Sequence, residues 1–386
     1  MELLDVVIVG AGPAGSTVAG LLKEVGLKLK IVDKTHFPRF KPCAGWITDG
    51  VLELAGIDEA KYSKNYTLQP ITGFTLWDRK NNPHRIDYGQ TVSYGIVRTE
   101  FDNYLIEKNN LSVEEGLKIN GVDFLNDRVR VFGNNYKGEE EIVEARLVIG
   151  AGGHFCPVSR AIGNPTTDTF TVGAIESEFK IDENFKSTYG VNPGVPEIFF
   201  TEEINGYGWY IAKGNYLNIG IGSIDKPNVR KMWKDFLQKL IALGKIPKDT
   251  EEITRVSKGH FYKFYPAAPR KIIHNRALLV GDSAGLAYNV SGEGIKPAII
   301  SAHLAAETIT EILFKSSGKT QNTDFSETLL KNYDEKIVRE FGKRNYRSNR
   351  DTNPKASFLL KFIFDNILLA TGMGRRYIVE KLFLRR

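Results

Sequence analysis

"DVVIVGAGPAGSTVAGLLKEVGLKLKIVD", residues 5–33, decides how the rest of the chain is read. DVVIVG is a β-branched apolar run, AGPAGSTVAGLLKEVG carries apolar residues at helical spacing, and KLKIVD is a second strand. Gly10, Gly12 and Gly15 form a G-x-G-x-x-G arrangement directly after the first strand and open the helix. Gly10 permits the tight turn, Gly12 lets backbone approach a pyrophosphate, and Gly15 lets the helix lie close on the strand. A phosphate then sits on the helix N-terminus, where free N–H groups and the dipole favour negative charge. Asp33 follows Gly15 by eighteen residues, at the end of the second strand, placed to accept from ribose hydroxyls. Strand, glycine turn, helix and acid in this order predict a Rossmann-like dinucleotide-binding unit. The motif alone does not separate NAD from FAD.

With 386 residues the chain exceeds one simple core, which implies two domains or one large α/β domain with insertions. A 42% hydrophobic and 25% charged composition fits a soluble globular enzyme. Its two cysteines, Cys43 and Cys156, cannot build a disulfide framework, and no Cys/His spacing suits a metal, so a reducing compartment and no metal are expected. The start, MELLDVVIVGAG, shows no basic leader or cleavage site, and no run of eighteen apolar residues predicts a bilayer span. The net charge of +6 is uneven: residues 331–386 hold fourteen Lys/Arg against six Asp/Glu, a local +8 that leaves −2 for the remainder. Such an excess suits an anionic partner, such as lipid headgroups, an acidic lipid or nucleic acid, and equally a solvated helical face.

Further along, GIVRTEFDNYLIEKNN (95–110) reads as a helix starting near Glu100 and Phe101 with Arg98 before it, and ARLVIGAGG (145–153) as a buried strand ending in glycines. From about Phe170 to Ile224 the pattern becomes alternating strands with Gly and Asn turns. ALLVGDSAG (277–285) returns to an apolar strand with a glycine-rich end, KPAIISAHLAAETITEIL is a helix, and SSGK (316–319) is a linker into a helical, basic remainder. No internal repeat or low-complexity tract is present. The expected fold is α/β, a Rossmann-like nucleotide-binding domain with an inserted antiparallel β-sheet domain and a C-terminal helical segment. The expected boundaries are 1–75, 95–168 and 260–315 for the nucleotide domain, 76–94 and 169–259 for the insertion, and 320–386 for the tail.

A second signal lies in LLVGDSAG followed by SGEGIKPAI. Asp282 at a strand end resembles the flavoprotein aspartate that holds the ribityl hydroxyls of FAD. Gly292 and Gly294 then open a helix that tolerates Pro297 in its first turn. An N-terminus aimed at the flavin pyrimidine edge would stabilise the anion that reduced flavin carries.

The ordered set GAGPAG with Asp33, KPCAGW, VRTEFDNYL, LVIGAGGHFCPVSRAIG, GYGWYIAKGNYLNIGIG and VGDSAGLAYNVSGEGIKPAI resembles the geranylgeranyl reductase family, within the p-hydroxybenzoate hydroxylase-like group of FAD enzymes. The likeness spans roughly residues 1–310. It implies FAD as cofactor, with candidate contacts at Gly10, Gly12, Pro13, Ala14, Gly15, Asp33, Lys34, Arg39, Cys43, Ala44, Gly45, Arg98, Ala151, Gly152, Gly281, Asp282, Gly292, Gly294 and Ile295. Where the family has K-P-C-G-G, this chain has Lys41-Pro42-Cys43-Ala44-Gly45, on a loop that passes near the isoalloxazine in relatives. GYGWYIAKG matches a Y-x-W-x-F-P-like segment lining the substrate cavity, with Ala212 in place of the proline. Ala151-Gly152-Gly153 replaces the Ala-Asp-Gly of the larger group, which removes a carboxylate associated with nucleotide contacts and weakens a hydroxylase reading.

Cys43 is therefore the candidate catalytic residue, a thiol on the flavin-side pocket able to tune a flavin or relay a proton; a small buried hydrophobe is its bland alternative. Trp46, Tyr207, Trp209 and Tyr288 are the candidate aromatic lining, since positive character on an alkene carbon is stabilised by ring faces. Cys156 reads as structural and His154 as a loop residue near the cofactor. FLLKFIFDNILLATG (358–372) with the basic residues after it suits an interfacial amphipathic helix, or a helix docked on the core. The expected activity is saturation of C=C bonds in an isoprenoid lipid or quinone tail, with electrons from a ferredoxin-like protein or NADPH and no nucleic-acid partner. The expected place is the cytoplasm, with peripheral contact at the inner face of the membrane. The alternatives are a flavin monooxygenase or halogenase, or an electron-transfer flavoprotein–quinone type oxidoreductase. A halogenase would carry W-x-W-x-I-P, which is absent, and two cysteines cannot ligate an iron–sulfur cluster unaided.

Overall fold

Val6, Val7 and Ile8 are fully buried on both faces of the strand Leu4–Val9, which is how a central parallel strand differs from an alternating surface strand. The computed structural model describes residues 3–165, 171–265, 270–289, 291–315, 325–343 and 368–384. Leu4–Val9 pairs in parallel with Leu29–Asp33 on one side and Glu140–Gly150 on the other. The sheet extends to Val113–Glu115 beyond the first and to Ala277–Leu279 and Ile273–His274 beyond the second. The hairpin strands Lys118–Phe124 and Val129–Asn134 hang antiparallel from Glu140–Gly150. Helix Pro13–Glu24 connects the first two strands, and helix Ile295–Lys315 packs beside it. Ile295–Lys315 is long and apolar enough to cross a membrane, but most of its apolar window is buried in the protein, as a core helix requires.

A second sheet of eight strands runs Ala287–Tyr288, Lys258–Tyr265, Thr171–Lys180, Tyr216–Ser223, Gly206–Lys213, Glu197–Phe200, Gly73–Trp77 and Pro83–Asp87. Strand alternation divides its apolar residues between two cores. Phe199, Tyr210, Ala212 and Ile219 face helix Val229–Ala242 through Trp233, Phe236 and Leu240. Ile198, Phe200, Trp209 and Ile211 face the other way, onto Phe74 and the C-terminal π-helical turn Ile378–Leu384. A third, small sheet holds Trp46–Thr48, Ser93–Ile96 and Leu68–Ile71.

Two expected boundaries cut through strands. Gly73–Trp77 lies wholly in the second sheet, not split at 75/76, and Lys258–Tyr265 belongs there too, not split at 259/260. Short strands switch sheets without a change in composition, so nothing in the sequence marks the crossing. The helix expected from Glu100 begins at Arg98, and Gly95 and Ile96 belong to the preceding strand. The 316–319 linker and residues 358–367 of the expected amphipathic helix lie outside the described residues.

Candidate active site

The two large sheets and the loop between Asp33 and Trp46 enclose a cavity of about 560 Å³, within the range of ligand sites. Glycines build one end. A Cβ on Gly10, whose φ is +109°, would lie 2.5 Å from the Ala151 carbonyl oxygen, so two strand-end turns cross there in backbone contact. A Cβ on Gly15 would lie 1.8 Å from the Gly10 carbonyl oxygen, which fixes how closely the helix approaches its strand. Gly12 caps helix Pro13–Glu24 in an extended conformation without a side-chain hydrogen bond, and Pro13 has no N–H to satisfy, leaving a helix N-terminus open to an anion. Asp33 ties this turn together: its Oδ2 accepts from the Ala11 N–H at 2.9 Å, and its Oδ1 accepts from the Thr35 N–H and hydroxyl at 3.0 and 2.7 Å. A carboxylate retains lone pairs for further donors.

Charged side chains cluster beyond the turn. Arg98, buried at the first position of its helix, makes a two-bond contact with Asp102 at 2.8 Å for each bond, and Arg39 reaches the same carboxylate at 3.2 Å. Burial works against the Arg98 charge, but Asp102 and the Cys43 sulfur hold its pKa above the usual value. Lys41 lies 3.0 Å from His260 Nδ1, and His260 Nε2 lies 3.8 Å from Asp282. Burial, then the neighbouring Arg98 charge, pulls Lys41 down to about 8. Burial and Lys41 likewise lower His260. For Asp282, burial pushes upward, but the nearby His260 ring and the Lys41 and Arg98 charges prevail and lower it. This end suits a ligand with several negative oxygens.

The other end is apolar and aromatic. Trp46 stacks on Phe383 at 5.6 Å and packs on Phe74 at 5.1 Å, while Tyr207 meets Phe383 edge-on at 5.3 Å and Trp209 at 6.1 Å. Between the ends runs the Cys43 loop, held at its backbone by buried polar side chains from three adjacent strands. The Cys43 N–H donates to Glu176 Oε1 at 2.7 Å, Asn218 Nδ2 donates to the Cys43 carbonyl at 3.2 Å, and Lys213 Nζ donates to the Ala44 carbonyl at 3.1 Å.

Of the residues picked out by sequence, Gly10, Gly12, Pro13, Ala14, Asp33, Lys34, Arg39, Cys43, Ala44, Trp46, Arg98, Ala151, Gly152, Tyr207, Trp209, Asp282, Gly292, Gly294 and Ile295 line this one cavity. Gly15, Gly45 and Gly281 stand behind its walls. A Cβ on Gly45 would meet the Ile96 carbonyl at 2.2 Å, and one on Gly281 would meet Ala14 at 3.2 Å. Tyr288 is the correction: it sits on a two-residue edge strand paired with Tyr265, and its ring packs on Phe341 at 6.0 Å, away from the cavity. Cys156 is buried in the core, and His154 lines the cavity, as its loop position suggested. Burial and the Arg270 and Lys263 charges lower His154 to about 4, so it is neutral at pH 7. Sequence reasoning missed Glu176, His260, Tyr262, Glu293 and Phe383, all in the wall. Glu176 and His260 are charged or polar residues on strands where alternation calls for apolar ones, and that exception was the signal available.

Trp46 Nε1 and His154 Nδ1, buried polar atoms of cavity-lining side chains, have no hydrogen-bond partner among the described residues, as expected of a wall built around a polar ligand. Charged side chains crowd the two glycine turns: a Cβ on Gly12 would press on the Arg39 guanidinium at 3.3 Å, and one on Gly294 on the Asp282 carboxylate at 3.1 Å. An extended dinucleotide with a diphosphate at its middle fits these residues. An uncharacterized protein of Methanosarcina barkeri is 28% identical over 384 residues, 98% of this chain and 88% of that one. A digeranylgeranylglycerophospholipid reductase of Thermoplasma acidophilum is 25% identical over 389 residues, 95% of this chain and 91% of that one. Among solved structures, a geranylgeranyl bacteriochlorophyll reductase-like protein of Thermoplasma acidophilum shares the fold at a TM-score of 0.73 and 21% identity, over 99% of this chain and 97% of that one. A family model described as FAD binding domain matches residues 3–336. Glycine turns, paired acids and a cationic cluster on one cavity agree with that match: the chain belongs to the FAD binding domain family, and its cofactor is FAD.

Proposed function

We propose that this protein is a reductase that saturates C=C bonds of an isoprenoid lipid or quinone tail. The observation that carries the reading is the continuity of one cavity from a glycine and cation wall to an aromatic end formed by Trp46, Tyr207, Trp209 and Phe383. The name of the Thermoplasma acidophilum relative, a reductase of a geranylgeranyl lipid, supports the same substrate class. Reduced FAD supplies a hydride in such a reaction, and the protein must supply the rest: a dry apolar slot, ring faces toward developing positive charge, and a proton. In this reading Gly10, Gly12 and the helix beginning at Pro13 receive the diphosphate, Asp33 the adenosine ribose, and Asp282 with the Gly292–Gly294 turn the flavin end. Cys43 lines the flavin-side wall, where its sulfur, beside the buried Arg98 charge, tunes the reacting region. Electrons come from a ferredoxin-like protein or NADPH. The protein works in the cytoplasm, and the basic C-terminal region supports contact with the inner face of an anionic membrane.

The test is anaerobic. Protein reduced with dithionite is mixed with geranylgeranyl lipids, and flavin reoxidation with product masses raised by pairs of hydrogens is the expected result. Reoxidation by air alone, with hydroxylated or halogenated product, overturns the proposal. Cys43→Ala should retain FAD and slow reoxidation about tenfold, a modest loss beside that of a proton donor; an unchanged rate and flavin spectrum return Cys43 to a packing role.

A further inference from the structure

Behind the Cys43 loop lie two carboxylates and one ammonium, and the ammonium is taken by only one of them. Lys213, fully buried, pairs with Glu178, and Asn218 donates to Glu178 at 3.1 Å while accepting from Trp209 Nε1 at 2.7 Å. Glu178 is thus satisfied as an anion. Glu176, two residues along the same strand and 2% exposed, has no ion-pair partner among the described residues, and unlike Glu178 it lines the cavity. A buried carboxyl with a like charge beside it and the neighbouring cation, Lys213, engaged elsewhere is favoured as the neutral acid.

Resting on the reductase reading above, we propose that Glu176 is the acid that delivers the proton in double-bond reduction. Its O–H bond breaks as a C–H bond forms at one alkene carbon; the electron pair for the other C–H bond comes from the reduced cofactor, and the carboxylate left behind regains a proton from water. The surroundings fit a proton held until it is used. Burial pushes Glu176 up to about 7; Lys213 on the strand Gly206–Lys213, the Cys43 N–H and Asn218 on the strand Tyr216–Ser223 pull down, and Glu178 on its own strand pushes up. Near neutral pH the carboxyl can both hold and regain its proton.

Full-length FAD-loaded protein provides the test, as wild type and Glu176→Gln. Gln keeps an oxygen for the Cys43 N–H and carries no acidic proton, so a Glu176 that only holds the loop predicts a variant as fast as the wild type. The proposal expects anaerobic reoxidation of reduced E176Q by a geranylgeranyl lipid to slow by about 10²–10⁴-fold with FAD absorbance retained. Wild-type reoxidation should fall as pH rises through about 7, where the acid is lost; that measurement needs no variant to fold. Infrared difference spectra against pH need no substrate: the wild type should show a carboxylic C=O band that disappears through the same pH, and E176Q should lack it. Unchanged reoxidation in E176Q, a wild-type rate flat through that pH, or the absence of the band overturns the proposal. If no isoprenoid reoxidises even the wild type, the reductase reading has failed separately, and the infrared band still reports whether Glu176 carries the proton.

Discussion

The two walls of the cavity solve the problem of buried polarity in different ways. The nucleotide-side wall uses backbone: Gly10, Gly12 and Gly15 leave N–H groups and space where side chains would stand, and its charged pair, Arg98 with Asp102, closes on itself through two short bonds. The sheet-side wall uses side chains: Glu176, Glu178, Lys213 and Asn218 project from three neighbouring strands and grip a loop from elsewhere in the chain. Backbone polarity is fixed in amount and does not titrate, whereas side-chain polarity can be left one proton short. That difference gives the first wall the character of a binding surface and the second that of a chemical one.

Removing one ion from each wall should separate the two roles. Asp102→Asn strands the buried Arg98 guanidinium and the half-buried Arg39 guanidinium without their shared carboxylate. The expected loss is about 3–5 kcal/mol in denaturant unfolding, together with loss of the yellow colour on purification. Lys213→Met leaves Glu178 without its ammonium, but Asn218 still donates to it and it can take up a proton, so a smaller loss with FAD absorbance intact is expected. A colourless K213M, or a D102N that keeps its flavin and its stability, breaks the division of labour.

The same contrast explains what the sequence could disclose. Gly10, Gly12, Gly15 and Asp33 were legible because one short run must satisfy turn, helix start and strand end together, so the spacing is dictated locally. Asp282 and Gly294 were legible for the same reason at a second strand end. Glu176, His260 and Phe383 were not, because they meet only when strands far apart in sequence take their places in one sheet and the C-terminal turn folds against its face. The sheet boundaries at 75/76 and 259/260 failed on the same ground: a strand's sequence reports its alternation and not the sheet it joins. Tyr288 failed locally, because a two-residue edge strand has too little pattern to say which face its ring takes.

The sheet-side wall should also leave a pH signature in stability. Glutamate in an unfolded chain titrates near 4.5, and Glu176 in the folded protein near 7. Between these values the folded protein keeps a proton that the unfolded chain has released. The stabilisation is therefore complete below the lower value and is lost as pH rises through the upper one. Gln does not titrate, so the stability of wild type relative to E176Q should fall by about 3 kcal/mol across that window. Urea unfolding of both proteins at a series of pH values reads it directly. A constant difference would mean that Glu176 is ionised in the fold, and the two walls would then differ in position only.

The smallest expected effect sharpens where the aromatic end begins. Tyr207 and Tyr288 were equal candidates by sequence, but only Tyr207 borders the cavity, with its hydroxyl donating to the Ser291 carbonyl and its ring edge-on to Phe383. Tyr207→Phe keeps the ring and removes one buried hydrogen bond, worth about 1 kcal/mol, so a change of about fivefold in lipid-dependent reoxidation is expected. Tyr288→Phe acts on a ring that packs against Phe341 and is not among the residues lining the cavity, and should leave reoxidation unchanged whatever it does to stability. Equal effects of the two substitutions on the reaction would mean that the lipid runs past the end of the second sheet, and that the apolar slot is longer than the cavity bounded by Trp46, Trp209 and Phe383.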